Sequence, residues 1–391
     1  MADDPFMALS LPRVLLLLLA PIYVVYLISP AVGYMHDDGL YLVTAKALAA
    51  GHGYVIDSLP EVIPQTKYPI LYPLVLSGFW KLSRSLTVVG YLGKSLSLGC
   101  AIGWLLLIRR LARMHFNDDS TIDWITFFVA SSPWLIFLST SVLPDTMFAL
   151  VSTAAAMLLL RDAENETSGI KLVVIASGLA ALAFLLRTTG LALIAAAALL
   201  LFRRSPQRAL LFVLICGLMV GPWLYWQASH PAPLDVIDLY YSKASYAKGH
   251  ILAGYSPYEM FKVTALNTAL LAYGLVNGAQ NLPAIASMFV GLVGLGLALT
   301  GLFGSKLTKL NIVTVWLALY LGMLICWVWP PTRYSIPVIP FLLIYLAEGA
   351  KRISWSRSAS RAAQALLLVG GLSAVGTCSA GGSEPGTWVT E

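Results

Sequence analysis

The chain has 391 residues, of which 58% are hydrophobic and only 11% are Asp, Glu, Lys or Arg. A soluble domain carries about 25% charged residues, so the composition excludes a water-facing globular enzyme, and the apolar content excludes a disordered chain. The net charge of +6 then reflects Lys and Arg retained on one side of a membrane; no nucleic-acid partner is expected, and the fold class is an all-α, polytopic membrane bundle.

A crossing helix needs about 20 mostly apolar residues. In chain order, about eleven segments qualify, several of them short: 13–30, 87–108, 121–140, 143–160, 170–187, 189–202, 209–227, 282–303, 310–329, 335–350 and 362–378. The first has the length of a signal peptide. However, Ala2-Asp3-Asp4 precedes it and no clear small-residue cleavage site follows, so an uncleaved anchor is expected. Between the first two spans, Tyr68 to Arg84 is apolar but short and carries two prolines in its first turns. It is expected to lie in the interface, because counting it as a crossing would invert everything downstream.

Basic residues set the orientation. With the N-terminus in the cytoplasm, the clusters at 109–113, 203–208 and 351–361, together with Arg13, Arg161, Lys171, Lys306 and Lys309, fall inside. That is about 15 of the 25 Lys and Arg, a clear positive-inside bias. The chain then reads as one transmembrane domain over 1–378 in the cell (inner or plasma) membrane. Its long extracytoplasmic loops are 31–86 and 228–281, and a short extracytoplasmic tail covers 379–391. The cysteines Cys100, Cys216, Cys326 and Cys378 lie in apolar runs and read as packing residues.

The ionisable residues that oppose this bias fall on the outer face. Asp37 and Asp38 follow the first span; Asp145, Arg187 and Arg333 sit in tight outer turns; Lys67 precedes the interfacial helix. Charges at or within a membrane are functional candidates. Each also suits a plainer role. Asp145, after Pro144, or one acid of the Asp37-Asp38 pair suits a helix cap, and Lys67, Arg187 and Arg333 suit snorkelling to headgroups. Taken together they suit a carboxylate base beside a cationic clamp for phosphate, and hence a phosphorylated lipid substrate.

These residues resemble the C-type glycosyltransferase superfamily, which includes protein O-mannosyltransferases, lipid A aminoarabinose transferases and bacterial polyprenyl-phosphate-sugar transferases. The family's Asp-Glu-x-x-Tyr-x-x-x-Ala reads here Asp37-Asp38-Gly39-Leu40-Tyr41-Leu42-Val43-Thr44-Ala45, followed by the turn Gly51-His52-Gly53-Tyr54. The Lys-Pro-Pro-Leu-like motif reads Lys67-Tyr68-Pro69-Ile70-Leu71. Arg187-Thr188-Thr189-Gly190 resembles an Arg-Pro-x-Gly turn, and Arg333-Tyr334-x-x-Pro337-x-x-Pro340 a late motif. The resemblance implies a helical bundle roofed by juxtamembrane helices of the first outer loop, and inverting displacement at the anomeric carbon of a polyprenyl-phosphate sugar. It implies Asp37 as the catalytic base, Asp38 in place of the second acid, and Lys67 and Arg333 on the donor phosphate. Tyr41, Arg187 and Asp145 would complete the substrate site. The second acid is Asp rather than Glu, so no cofactor is certain and a divalent cation on Asp37 and Asp38 stays open. Partners would be the donor, the bilayer, and a glycan, lipid or protein acceptor. The chain ends shortly after its last span, where many relatives carry a soluble outer domain.

The alternative reading is a transporter or flippase of a lipid-linked anion; no repeat or mid-span charge of the kind such folds use is visible. A third is a non-catalytic scaffold. Gly93-Lys94-Ser95 lacks the first glycine of a phosphate-binding loop. Asn165-Glu166-Thr167 is a sequon on the cytoplasmic side, Gly217-x-x-x-Gly221 suits a helix-packing notch, His36 adjoins the acid pair, and Tyr240, Tyr241, Tyr246, Tyr255 and Tyr258 suit an interfacial belt.

Overall fold

The computed structural model describes residues 10–29, 32, 35, 37–164, 170–230, 257–275, 284–304, 311–326, 331 and 333–352. The expected span 362–378, the tail, the sequon at 165–167, His36, Tyr240, Tyr241, Tyr246 and Tyr255 lie outside the described residues.

Helices dominate, as the composition requires. They are α1 (Leu11–Ile28), α2 (Asp37–Ala50), α3 (Leu71–Leu82), α4 (Leu86–Arg113), α5 (Asp119–Ala130), α6 (Pro133–Ser139) and α7 (Asp145–Glu164). Then follow α8 (Ile170–Leu186), α9 (Leu191–Arg204), α10 (Pro206–Ser229), α11 (Pro257–Leu275), α12 (Ala284–Gly304), α13 (Ile312–Ile325) and α14 (Ile339–Arg352). Short 3-10 turns at Thr188–Gly190 and Arg333–Val338 lead into α9 and α14. A two-residue hairpin, β1 (Val55–Ile56) with β2 (Ile63–Pro64), pairs Val55 with Pro64 and Ile56 with Ile63. It is a small addition to the expected all-α class, launched by Gly51 and Gly53 at φ +84° and +89°, which only glycine adopts freely.

Among the described residues four stretches, α1, α4, Asp145–Ala163 and α10, are long and apolar enough to cross a membrane, or five if the bent α5–α6 pair is one span. Shorter apolar helices, α8 and α13 among them, accompany these. The chain is a multi-pass membrane protein. Its lipid-facing surface is greasy: Leu17, Leu106, Leu218 and Phe303 are all more than half exposed. Lipid is as apolar as leucine, so packing must come from close helix approach. The closest lies between α12 and α14, where a methyl added at Gly301 would land on the Tyr345 carbonyl oxygen, and one at Gly349 on that of Leu297. Gly217 and Gly221, the expected notch, have nothing within 4 Å of a virtual Cβ among the described residues; the notch is open.

Two of the expected segments hold a break or an added helix. The single span 121–140 is two helices bent by 64°. Pro133 starts the second, and the Ser132 hydroxyl accepts from Leu135 N, so the chain re-caps instead of continuing. The second long loop, 228–281, contains a helix, α11. Glu259, Lys262 and Asn267 interrupt its apolar run. Buried Asn267 is nevertheless well placed there, its Nδ2 donating to the Leu324 and Ile325 carbonyls at 3.3 and 3.2 Å, where the end of α13 leaves them open.

The remaining buried ions separate to two ends. α7, α9 and α14 start at one end and finish on Arg161, Arg203-Arg204 and Lys351-Arg352 at the other. A knot joins α1, α4 and α5, in which Asp123 takes Arg13 Nε at 2.6 Å and Arg109 Nη1 at 2.7 Å. The other end holds the residues that break the charge bias.

Candidate functional site

Five separate segments deliver those residues to one point. The first turn of α2 carries Asp37, Asp38 and Tyr41, and carboxylates there are favoured by the helix dipole. Asp38 Oδ1 accepts from Gly39 N at 2.8 Å. The strap between β2 and α3 brings Lys67 and Tyr68. It is tied down from α10, with Trp226 Nε1 donating to Gln65 O at 3.0 Å and Gln227 Nε2 to Thr66 O at 2.7 Å. Gln65 Oε1 in turn accepts from Lys67 N at 2.8 Å. Trp80 Nε1 donates to Leu42 O at 3.0 Å and fixes α3 on α2. Asp145 begins α7. Arg187 follows α8, in a turn whose last residue must be small: a Cβ at Gly190 would stand 2.6 Å from Phe184 N. The 3-10 turn before α14 holds Arg333 and Tyr334, and Tyr320 Oη of α13 donates to Tyr334 O at 2.9 Å.

Arg333 is the centre. Its Nη1 donates to Asp37 Oδ2 at 2.9 Å, its Nη2 to Asp145 Oδ2 at 3.0 Å, and its Nε to Asp145 Oδ1 at 3.3 Å. Arg187 Nη1 lies 2.5 Å from Asp145 Oδ1. Both guanidinium carbons lie over the Tyr334 ring, at 4.7 Å for Arg187 and 5.7 Å for Arg333. Asp37, Asp38, Lys67, Asp145 and Arg333 are all buried. Arg187, with 13% of its side chain exposed, and buried Arg333 turn inward to these carboxylates rather than out to headgroups. They form a neutral four-charge cluster with Asp37 and Asp145, the arrangement that makes buried charge tolerable. Burial alone would weaken the positive charge on each guanidinium. The Asp145 carboxylate more than offsets this for Arg187, as Asp145 and then Asp37 do for Arg333, so both are held above their ordinary range. Burial, and then the Asp37 charge, likewise keep the Tyr41 phenol protonated.

Lys67 reaches the cluster through its neighbour: its Nζ lies 5.1 Å from the Tyr68 ring centre, and Tyr68 Oη donates to Asp37 Oδ1 at 2.6 Å. Three side chains escaped sequence reasoning. Tyr68 and Tyr334 adjoin residues singled out there, yet nothing in one sequence shows that their rings serve the charges. Lys94 sat in a discounted motif. It is buried, donates to Ser29 O at 2.6 Å, and lies within electrostatic reach of Asp38.

A divalent cation fits poorly here. The Arg333 guanidinium already stands 2.9 Å from Asp37 Oδ2 and would repel a second cation there. Among the described residues no three His, Cys, Asp or Glu groups converge as a metal site. No step through a metal is derived.

No protein-family model matches the sequence, and no curated protein does. Two solved structures match in three dimensions. ArnT from Cupriavidus metallidurans bound to undecaprenyl phosphate superposes with a TM-score of 0.55 at 14% identity, over 86% of this chain and 60% of that one. ArnT from the same organism in the apo state gives 0.51 at 15% identity, over 87% and 60%.

The chain has the fold of ArnT.

ArnT is an aminoarabinose transferase, so the likeness in space and the motif resemblance of the first loop point to the same C-type fold. The chain spans about 60% of the length of the ArnT chains it matches. In this version of the ArnT fold α2, whose first turn bears Asp37, packs against α3.

Proposed function

We propose that this protein is an integral membrane glycosyltransferase that moves a sugar from a polyprenyl-phosphate donor to a glycan, lipid or protein acceptor. The single observation that carries the reading is the buried Asp37, held by Arg333 and Tyr68 at 2.9 and 2.6 Å, in a fold whose solved relative holds undecaprenyl phosphate. In this reading Asp37 takes the proton of the acceptor hydroxyl or amine as that atom attacks the anomeric carbon. The sugar–phosphate C–O bond breaks with inversion, and the electron pair leaves on the phosphate. Lys67 and Arg333 offset the charge that develops there. Asp145 and Arg187 hold Arg333 in place, and Asp38 and Tyr41 shape the pocket beside it. The site faces the extracytoplasmic side and the N-terminus the cytoplasm, in keeping with the basic ends of α7, α9 and α14. Residues 1–378 act as one transmembrane domain in the cell membrane.

The test is transfer in detergent from a panel of polyprenyl-phosphate sugars. Asp37→Asn is expected to keep its fold and to lose roughly 10²–10⁴-fold in rate, the range for a general base. Full activity in that variant sinks the mechanism. Transbilayer movement of the donor without covalent transfer would replace it with a flippase.

A further inference from the structure

Among the described residues Asp37 has two fasteners, and only one of them is a charge. Arg333 Nη1 donates to Oδ2, and the Tyr68 phenol donates to Oδ1 at 2.6 Å. An ionised carboxylate offers about four acceptor positions. Two donors on opposite oxygens therefore fix the plane of the group and leave lone pairs for an incoming acceptor. Tyr68 is itself fixed. Its carbonyl accepts from Tyr54 Oη at 2.9 Å, and its ring centre lies 5.1 Å from that of Tyr41. In the Lys-Pro-Pro-Leu-like pattern to which Lys67-Tyr68-Pro69 was compared, this position is proline, which has no hydroxyl to give.

We propose that Tyr68 is a positioning residue for Asp37, resting on the glycosyl transfer proposed above. In that reaction the acceptor proton passes to Asp37, the acceptor atom bonds to the anomeric carbon, and the phosphate leaves with the electron pair. Tyr68 keeps its own proton throughout. It holds one carboxylate oxygen still and so fixes the direction in which Asp37 meets the acceptor proton. The other groups facing Asp37 are Arg333 from the 3-10 turn, Asp38 and Tyr41 from α2, Lys67 beside Tyr68, and Asp145 across the guanidinium.

Tyr68→Phe removes one oxygen and keeps the ring. With a donor that the wild type uses, it is expected to lower kcat roughly tenfold, the worth of one hydrogen bond to a charged group. Donor KM stays unchanged. In the Asp37→Asn background the same change has no further effect on kcat, because no base is left to position. Tyr54→Phe, which frees the Tyr68 carbonyl, should shift kcat in the same direction by less. Wild-type kcat in Tyr68→Phe overturns the proposal. So does a loss of kcat that is just as large in the Asp37→Asn background, since that marks a prop acting apart from Asp37. Failure of the underlying reading looks different: no transfer by the wild type from any donor, or full activity in Asp37→Asn.

Discussion

Asp145→Asn tests the electrostatic account of the site most directly. The carboxylate is 3% exposed and faces three guanidinium nitrogens, Arg333 Nε at 3.3 Å, Arg333 Nη2 at 3.0 Å and Arg187 Nη1 at 2.5 Å. The amide keeps the shape but leaves buried Arg333 with Asp37 alone and Arg187 without its carboxylate. Removing one partner of a buried ion pair costs about 3–5 kcal/mol. Coulomb's law supports that scale, giving about 4 kcal/mol for one pair at 4 Å and an effective dielectric of 20. Asp37→Asn is gentler. Arg333 keeps Asp145, and the loss is that of charge-assisted hydrogen bonds, about 1.5–3 kcal/mol each. The assay is reversible unfolding in mixed micelles, run as a double-mutant cycle with Arg187→Gln. Asp145→Asn should be the less stable of the two carboxylate variants. Adding Arg187→Gln should return part of the loss by removing the excess cation, with a coupling of about 1–3 kcal/mol. Wild-type stability in Asp145→Asn, or a strictly additive cycle, would refute the reasoning.

Three further outcomes are expected. Gly190→Ala puts a methyl against the backbone of Ala183 and Phe184, so it should cost about 1–3 kcal/mol of stability and lower transfer by moving Arg187; an unchanged melting curve would show that the turn can give way. Lys94→Met strips the cation from Ser29 O and the vicinity of Asp38, and should cut kcat about tenfold or more, the scale of one charge-assisted hydrogen bond, with the bundle still folded; transfer and melting measured side by side decide it. Excess chelator should leave the transfer rate unchanged, because the Arg333 guanidinium already takes the place of a cation beside Asp37; a loss that added divalent cation restores would contradict that geometry.

Much of the site's composition could be read before its shape. Asp37, Asp145, Arg187 and Arg333 stood out because each opposes the distribution of charge along the chain, and the structure brings all four together. Their pairing was not legible. Asp145 and Arg333 are 188 residues apart, and Asp37 and Arg333 are 296 apart, so no local pattern links them. Periodicity and apolar length found most helices, since a crossing must satisfy its backbone internally. They failed where a polar residue is satisfied by tertiary contact, as Asn267 is in α11. They also failed where Ser132-Pro133 re-caps a helix inside an apolar run. Tyr68 was invisible for a related reason: a tyrosine near a membrane interface has a common role as an anchor, and only its distance to Asp37 reveals another.

The bridge from Asp37 to Arg333 also has a consequence in time. A ribosome adds about 5–20 residues per second, so the 296 residues between them correspond to roughly 15–60 s of synthesis. For that interval Asp37 is made and inserted without the guanidinium that pairs with it, whereas Asp145 meets Arg187 much sooner. Asp37 therefore gains its charged partner only when the late part of the chain arrives.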